Sequence, residues 1–290
     1  MTDYFIGDIQ GCFDGLQNAL ASVEFNFGRD TLWLTGDLVA RGNNSLETMQ
    51  FIEKHASSIR FVLGNHDLHF MAVAKGIKAA KKSDKLDKLL NDSRCHYYVD
   101  FLRQNPLLLE LPQSAGFMSH AGLPPDWQVN DAVNWTNRFS ELLKSNEYET
   151  FIANMYQNTP AKFVDSQSPL EQMIYTVNAM TRMRYCLPDG QLEFSEKRSP
   201  KEYLSARASA SAADEPLQPQ LRPWFEFNPE RFENIAWVFG HWASLMGETE
   251  LKTADSTNNR QLYALDTGYV WGNYLTVLNW QSKESILISA

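Results

Sequence analysis

The feature that most limits how this chain can fold is a short apolar run ending at glycine, which occurs three times in the first quarter of the sequence. Each run is followed by an oxygen-bearing side chain: 4–6 by Asp8, 32–34 by Asp37 and 60–63 by Asn65. A short apolar run bounded by glycine is typical of a buried strand. Because an α/β sheet opens its crevice at the carboxyl ends of its strands, these side chains should converge there. The pattern predicts a metal site at that edge.

Two amphipathic segments separate these strands. Apolar residues recur at helical spacing over 13–23, and 45–55 shows the same pattern with Ser45 placed to cap the helix. This alternation predicts parallel strands joined by right-handed crossovers, and hence an α/β fold. Consecutive apolar runs near the C-terminus predict an antiparallel meander, so the sheets should be mixed; these runs are 235–239, 261–265, 275–280 and 285–288.

The remaining segments suggest one domain with an insertion. We expect a single domain over 1–290, and the helical patterns between about 131 and 230 predict a helical cap inserted into it. Low-complexity sequence followed by prolines predicts a mobile loop near 199–223 within the cap. The lysine-rich stretch 75–88 has two interpretations: a patch that attracts phosphate, or a solvated helix or loop.

Charge and cysteine content restrict the partners and the location. A net charge of −9 and an isoelectric point near 5.2 argue against broad binding to nucleic acids or membrane surfaces. A phosphate-bearing substrate must therefore be attracted locally, by metal ions or a few basic side chains. Cys12, Cys95 and Cys186 are widely separated and form no CxxC pair, and no leader pattern or membrane-length apolar run is visible. We expect a cytoplasmic protein without a membrane partner.

Two histidines at predicted strand ends extend the set of candidate ligands. His120 follows a serine and His241 a glycine; with Asp8, Asp37 and Asn65 they form an oxygen and imidazole set without a thiolate. Such a set suits Mn²⁺, Fe²⁺, Co²⁺ or Zn²⁺. Singly, each residue has a simpler interpretation as a turn former or a structural histidine. Their ordered occurrence favours a site in which Asp37 bridges two ions that clamp a phosphoryl group.

The motifs around these residues resemble a known family. GDIQG, GDLVARG, GNHD, SHAG and GHW are similar to the signature of the calcineurin-like metallophosphoesterases, in the branch related to serine/threonine phosphatases. The similarity extends from Tyr4 to about Trp280, and only the low-complexity loop lies outside it. It implies a sandwich of mixed β-sheets flanked by helices, with the cap as an insertion.

The resemblance also implies roles for the matching residues. The metal-ligand positions are Asp8 and Gln10 for the first ion, Asp37 as the bridge, and Asn65, His120 and His241 for the second. Two divalent ions are expected, with Mn²⁺ preferred and Co²⁺, Fe²⁺ or Zn²⁺ as alternatives. Arg41 would contact a phosphate oxygen and His66 would be the general acid. Arg182 and Arg184 are further candidates for polyphosphate contacts, with charge on a helix surface as the alternative.

Two positions depart from the wider family pattern. Gln10 stands where that pattern has histidine, and a neutral amide oxygen is a weaker ligand, so the first metal site should be looser or completed by water. Ala40 stands where protein phosphatases carry an aspartate that supports the catalytic histidine, so His66 should be less well oriented and less readily kept protonated. An ADP leaving group tolerates this loss better than a serine alkoxide, because metal ions carry much of its developing charge.

The resemblance, together with Ala40, implies a hydrolase that cleaves dinucleoside polyphosphates, splitting diadenosine tetraphosphate symmetrically to two ADP by attack of metal-bound hydroxide. A phosphoprotein phosphatase of the same fold and a non-catalytic nucleotide sensor are the alternatives. RNA ends capped by a nucleoside tetraphosphate carry a similar linkage and are a further candidate substrate, while sequence-specific nucleic-acid binding is not expected. The base-binding residues stay unassigned; the candidate stacking aromatics, each with core packing as the alternative, are Trp135, Trp242, Tyr269 and Trp271.

Overall fold

The computed structural model describes residues 1–209, 219–249 and 261–290. Within these ranges the β-strands, labelled β1 to β12 in chain order, are Asp3–Ile6, Thr31–Leu34, Ile59–Phe61, Leu108–Glu110, Gly116–Ser119, Tyr185–Cys186, Leu192–Glu193, Arg222–Pro223, Ala236–Phe239, Leu262–Ala264, Tyr274–Asn279 and Ser285–Ser289. The α-helices of the same ranges, α1 to α9, are Phe13–Ser22, Ser45–Lys54, Asn65–Ala74, Asp87–Leu90, Cys95–Leu102, Val129–Lys144, Tyr148–Asn154, Pro169–Arg182 and Pro200–Ser209. No helix in this described part of the chain is both long and apolar enough to cross a bilayer.

Two β-sheets form the centre of the fold. The five-stranded sheet has the order β12-β11-β1-β2-β3, in which β1, β2 and β3 run parallel and β11 is antiparallel to β1. The four-stranded sheet has the order β10-β9-β5-β4, in which only β4 runs against the others. The β1-α1-β2-α2-β3 arrangement is the one that the sequence predicts, and both sheets are mixed.

The first strand shows how these layers pack. Phe5 lies in an apolar cluster that includes Met118 and Val238 from the other sheet, whereas Ile6 belongs to the cluster that contains Leu16 of α1. Successive side chains of a strand point to opposite faces of its sheet. One face of the five-stranded sheet therefore packs on the second sheet and the other on helices. The predicted sandwich of mixed sheets flanked by helices is confirmed.

The predicted antiparallel meander near the C-terminus is wrong in its pairing. β9 and β10 run parallel in the four-stranded sheet, whereas β11 and β12 form an antiparallel hairpin at the edge of the five-stranded sheet. Residues 265–273, between β10 and β11, pass from one sheet to the other. β9 is buried along its whole length and lacks the alternation that would identify its partners, so the sequence pattern could not reveal this exchange.

The segment predicted to be a cap combines helices with a small sheet. It includes most of α6, all of α7 to α9, and an antiparallel sheet of order β7-β6-β8, with α6 packed on α7 and α8. Its status as a cap inserted into a single domain stays a prediction.

The structure differs from the expected mobile loop at Pro200–Ser209, which is helical, and at Arg222–Pro223, which is a strand. The helix begins with a capping box: the hydroxyl of Ser199 accepts from the Glu202 N–H at 3.3 Å, and the Glu202 carboxylate accepts from the Ser199 N–H at 2.9 Å. This local signal outweighs the low-complexity composition. The rest of the expected loop, 210–218, lies outside the described residues.

The lysine-rich stretch is not one continuous helix, since α3 ends at Ala74 and α4 begins at Asp87. Lys75 pairs with Glu149 at 2.9 Å and Lys88 lies 3.5 Å from Glu47. These two lysines pair with carboxylates and therefore favour the solvated helix or loop over a patch that attracts phosphate.

Replacing Phe5 with alanine should destabilise the sandwich. The side chain is fully buried, and its ring stacks on Trp33 with 5.3 Å between centroids. Truncation of a buried aromatic typically costs about 3–5 kcal/mol in the free energy of unfolding, which urea titration would measure. The control Val164→Ala, at a side chain that is 78% exposed, should change that free energy by less than about 0.5 kcal/mol. A loss below about 1 kcal/mol for Phe5→Ala would contradict the packing described here.

Candidate metal centre

Four candidate ligands lie at strand ends that the two sheets bring together. Asp8 follows β1, Asp37 follows β2, His120 follows β5 and His241 follows β9. One ligand atom from each of Asp8, Asp37 and His120 lies within 4.8 Å of the other two, and all three side chains are buried. The rings of His120 and His241 meet edge to face with centroids 5.0 Å apart. Residues far apart in sequence thus form one cluster.

Glycine precedes Asn65 and His241 because the backbone there passes too close to the carboxylates for a side chain. A Cβ atom on Gly64 would lie 2.1 Å from Oδ1 of Asp37, and one on Gly240 would lie 2.1 Å from Oδ1 of Asp8. Asp37 and His241 themselves have positive φ angles of 49° and 65°. Non-glycine residues hold this conformation only where the surrounding structure imposes it. The repeated glycine therefore reflects tight packing around the ligands.

Hydrogen bonds determine which nitrogen of each histidine faces the cluster. Nδ1 of His120 lies 2.8 Å from the carbonyl oxygen of Thr35, and Nε2 of His241 lies 3.0 Å from that of Arg182. A carbonyl only accepts, so these nitrogens carry hydrogen and the opposite nitrogens present lone pairs. Burial lowers the pKa of both imidazoles, which keeps them neutral. Neutral histidines oriented by a second hydrogen bond are typical metal ligands.

The amide of Asn65 completes a convergence of acceptors. Its inward atom lies 3.3 Å from Nε2 of His120, 3.0 Å from Nδ1 of His241 and 3.1 Å from the carbonyl oxygen of Thr181. If that atom is the amide oxygen, its three neighbours are all hydrogen-bond acceptors, and a cation bound among them would offset the unfavourable approach of these lone pairs. If the amide turns, its nitrogen donates to His241 and Thr181 instead. The donor set therefore fits a divalent metal ion.

Negative charge accumulates in this buried cluster. Burial, together with the charges of Asp266 and Asp37, raises the pKa of Asp8 well above its usual value. Burial, and to a lesser extent the charge of Asp37, raises the pKa of Asp266 to about 6. Burial also disfavours the charged form of Asp37, but contacts with His120 and His66 hold its pKa below the usual value. A bound dication would relieve the repulsion among these carboxylates.

Gln10 lies beside the cluster and itself has a positive φ angle of 47°. Its backbone N–H donates to the carbonyl oxygen of Asp37 at 2.8 Å, and its side-chain nitrogen lies 3.5 Å from Oδ2 of Asp37. In this orientation the amide supports Asp37. A direct bond from Gln10 to metal stays a prediction.

His66 contacts the carboxylate of Asp37, and Arg41 lines the cavity beside His66. The His66 N–H donates to Oδ1 of Asp37 at 2.8 Å, and Nε2 of the ring lies 3.9 Å from Oδ2. Nδ1 of His66 is buried and has no hydrogen-bond partner within the described ranges. Ala40, which stands where protein phosphatases carry the aspartate that supports this histidine, has no polar side chain to offer. Arg41 lies 3.5 Å from Asp84, with its guanidinium partly exposed to the cavity beside His66.

The two further arginines occupy different surroundings. Arg182 lines the same cavity and donates to the amide oxygens of Asn178 at 2.7 Å and Asn158 at 2.8 Å. Arg184 donates to the carbonyl oxygen of His241 at 3.0 Å and senses the charges of the acidic cluster. Burial lowers the pKa of both guanidinium groups. Neither has the surroundings of a freely solvated helix-surface charge.

Two acidic residues of the site were not assigned from sequence. Asp67 is fully buried and joins two ligand loops, because Oδ1 accepts from the Leu38 N–H and Oδ2 from the Gly64 N–H, both at 2.8 Å. Burial, with the charge of Asp37, raises the pKa of Asp67 to about 8. Its signal was the third position of helix α3 after Gly64, where an acidic residue caps the N-terminus. Asp266 had the same strand-end position as Asp8 but no glycine before it.

Comparison with known proteins identifies the class. A family model described as calcineurin-like phosphoesterase matches residues 1–201. The chain belongs to this family, whose metallophosphoesterase chemistry implies divalent metal ions at the cluster described above.

Similar proteins extend over nearly the whole chain. A protein of Psychromonas ingrahamii named bis(5'-nucleosyl)-tetraphosphatase, symmetrical, is 41% identical over 98% of this chain and 95% of its own length. Proteins with the same name from Colwellia psychrerythraea and Pasteurella multocida are each 40% identical over 100% and 98% of this chain, and 99% and 95% of their own lengths.

Among solved structures, a candidate diadenosine tetraphosphatase aligns with a TM-score of 0.58 at 19% identity, covering 100% of this chain and 93% of that one. A cold-active protein-tyrosine phosphatase of a psychrophilic Shewanella species aligns with a TM-score of 0.56 at 12% identity, covering 99% and 80%. At these identities the two structures support the fold alone.

Divalent metal should stabilise the protein through the acidic cluster. Mn²⁺ at about a hundredfold its Kd should raise the free energy of unfolding by about 2.7 kcal/mol, as urea titrations with Mn²⁺ or with EDTA would show. Asp37→Asn should lose most of this gain because it removes the central carboxylate. Glu141→Gln, at an exposed residue of α6, should keep it. Equal stabilisation of the Asp37→Asn variant would argue against metal binding at this cluster.

Asp67→Asn should loosen the ligand loops. An amide has one oxygen, so either the Leu38 or the Gly64 N–H would face an NH₂ group and lose its acceptor. We expect a loss of about 1–3 kcal/mol in the free energy of unfolding in EDTA. Calorimetric titration should also show Mn²⁺ affinity reduced about tenfold or more. The exposed substitution Asp100→Asn is the control, and wild-type behaviour of Asp67→Asn in both measurements would refute this role.

Proposed function

We propose that this chain is a metal-dependent hydrolase that splits diadenosine tetraphosphate symmetrically into two ADP. The observation that carries the proposal is a largely buried cluster of acceptors at the side of an arginine-lined cavity, formed by Asp8, Asp37, Asn65, His120 and His241. The name shared by relatives that are about 40% identical over nearly the full chain supports the same substrate.

Two divalent ions would be held by the residues assigned from the sequence. In the assignment made from the sequence, Asp8 would hold one ion and Asn65, His120 and His241 would hold the other. Asp37, which has a carboxylate oxygen within 4.8 Å of ligand atoms of both Asp8 and His120, would contribute to both ions, and Gln10 would support it or add a ligand. Mixed carboxylate, amide and imidazole ligands favour Mn²⁺, with Co²⁺, Fe²⁺ and Zn²⁺ as alternatives. When bound, such ions polarise phosphate oxygens and lower the pKa of water.

The side chains around the ions divide the remaining tasks. His66 would donate a proton to the leaving oxygen, and Arg41 would hold a phosphate oxygen of the substrate. Burial lowers the pKa of His66, and the charge of Asp37 offsets this only in part. The lowered pKa disfavours the protonated form of His66, which is the form that would donate. This suits a nucleotide phosphate, which leaves with little protonation, better than a protein alkoxide.

The related substrates differ in what leaves. A phosphoprotein phosphatase would require efficient protonation of an alkoxide, and turnover of phosphopeptides against dinucleotide separates the two activities. RNA ends capped by a nucleoside tetraphosphate remain a candidate substrate because their linkage is alike. A nucleotide sensor would bind without releasing ADP.

We place the enzyme in the cytoplasm on the basis of its scattered, unpaired cysteines.

The proposed activity predicts a distinct product pattern and order of variants. Wild-type protein with Mn²⁺ should release ADP alone from diadenosine tetraphosphate, as followed by chromatography. Asp37→Ala and His241→Ala should lower kcat by about 10³-fold or more, since each removes a ligand. His66→Asn should cost about 10²-fold, near the lower limit for loss of a general acid. The control Glu141→Gln should have the kcat of the wild type. Release of AMP and ATP instead of ADP would exclude the proposal, and so would an active Asp37→Ala variant.

A further inference from the structure

A cavity of about 360 Å³ opens beside the metal centre. Asn65 and His66, which belong to that centre, form part of its wall, and Met155, Tyr156 and Val177 form another part. The volume lies within the range of about 300–1,000 Å³ that is usual for small-molecule sites. The cavity therefore joins the candidate catalytic residues to an apolar surface.

The charged residues of the wall favour an anion. Arg41, Arg182 and Lys81 line the cavity, and the acidic side chain among its lining residues is Asp84. Asp84 is already engaged, because it lies 3.5 Å from Arg41 and 3.3 Å from His69. Arg182 bonds only to neutral amide oxygens among the described residues. In a chain with a net charge of −9, this local excess of positive charge matches a polyphosphate.

Tyr156 has the properties of a platform for a base. Its hydroxyl lies 3.0 Å from Nδ1 of His69, and the other nitrogen of His69 lies 3.3 Å from Asp84, so a hydrogen-bonded chain holds the ring. The tyrosine is nevertheless 39% exposed, and the ammonium group of Lys78 lies 4.3 Å from the ring centroid. An aromatic ring that lines a cavity and is partly exposed can stack a nucleobase.

The aromatic residues singled out from sequence are placed elsewhere. Trp242 is buried against Tyr185, and Trp135 packs on Phe163, as core packing would have it. Trp271 is 64% exposed, and neither it nor Tyr269 is among the residues that line this cavity.

We propose that this cavity is a nucleoside diphosphate subsite, in which the base stacks on Tyr156 and the phosphates contact Arg41, Arg182 and Lys81. The inference rests on the proposed function and names where one ADP half of the substrate binds. The base platform and His66 line the same cavity. With one ADP half in this subsite, the bond between the second and third phosphates would be directed toward the metal centre, as symmetrical cleavage requires.

Tyr156→Ala tests the subsite with two ligands that share a phosphate chain. The KM for diadenosine tetraphosphate should rise about tenfold or more, since stacking of one base is lost, while kcat stays within about twofold. Inorganic tetraphosphate has no base, so its inhibition constant as a competitor should not change. Tyr156→Phe keeps the ring and should retain most of the affinity. Tyr97→Ala is the matched control, because Tyr97 is 45% exposed and does not line the cavity.

The outcomes that overturn the inference are specific. An unchanged KM in Tyr156→Ala would exclude stacking on this ring. An equal loss for dinucleotide and inorganic tetraphosphate would assign Tyr156 a structural role through His69. If wild type fails to release ADP from diadenosine tetraphosphate, the proposed function fails, and calorimetric binding of ADP with Mn²⁺ then tests the subsite by itself. Weaker ADP binding in Tyr156→Ala would support the subsite, and equal or absent binding would refute it.

Discussion

The structure depends on a buried group of carboxylates that repel one another. Asp8, Asp37 and Asp266 share a site from which water is largely excluded. Burial, and then the charge of neighbouring carboxylates, raises the pKa of Asp8 and Asp266. Backbone N–H groups from His241, His66 and Gly268 donate to them in turn. These bonds offset part of the cost of burial but leave net negative charge. A dication is the natural counter-charge. The carboxylates can lie so close together because the loops around them contain glycine, which leaves room where a side chain would clash.

Because its candidate ligands come from both sheets, the site and the sandwich support each other. Asp8 follows a strand of the five-stranded sheet and accepts from the backbone N–H of His241, which follows a strand of the other sheet. Thr35 similarly orients His120 across the two sheets. The apolar cluster around Phe5 is thus the packing that sets the ligand distances. Loss of that packing would displace the ligands as a set.

Chemistry and recognition are assigned to different parts of the chain. The ligands follow strands, whereas the proposed base platform follows α7 and one of the basic residues ends α8. Asp84 connects the two parts, since it contacts Arg41 on one side and, through His69, Tyr156 on the other. His66 lacks a hydrogen-bond partner for Nδ1 within the described ranges. The proposed mechanism therefore requires a good leaving group and accurate placement of the phosphates.

The sequence by itself predicted the parallel β-α-β-α-β unit and the convergence of Asp8, Asp37, Asn65 and His241, because glycine before a polar residue at a strand end is a local pattern with a local cause. The sandwich class followed from the resemblance of the motifs to a known family. Only the tertiary structure decided that β10 pairs parallel with β9, that Asp67 joins two loops, and that Tyr156 rather than the tryptophans faces the cavity. These features depend on which surfaces meet across long separations in sequence. Periodicity identifies the buried face of an element but not the element that covers it.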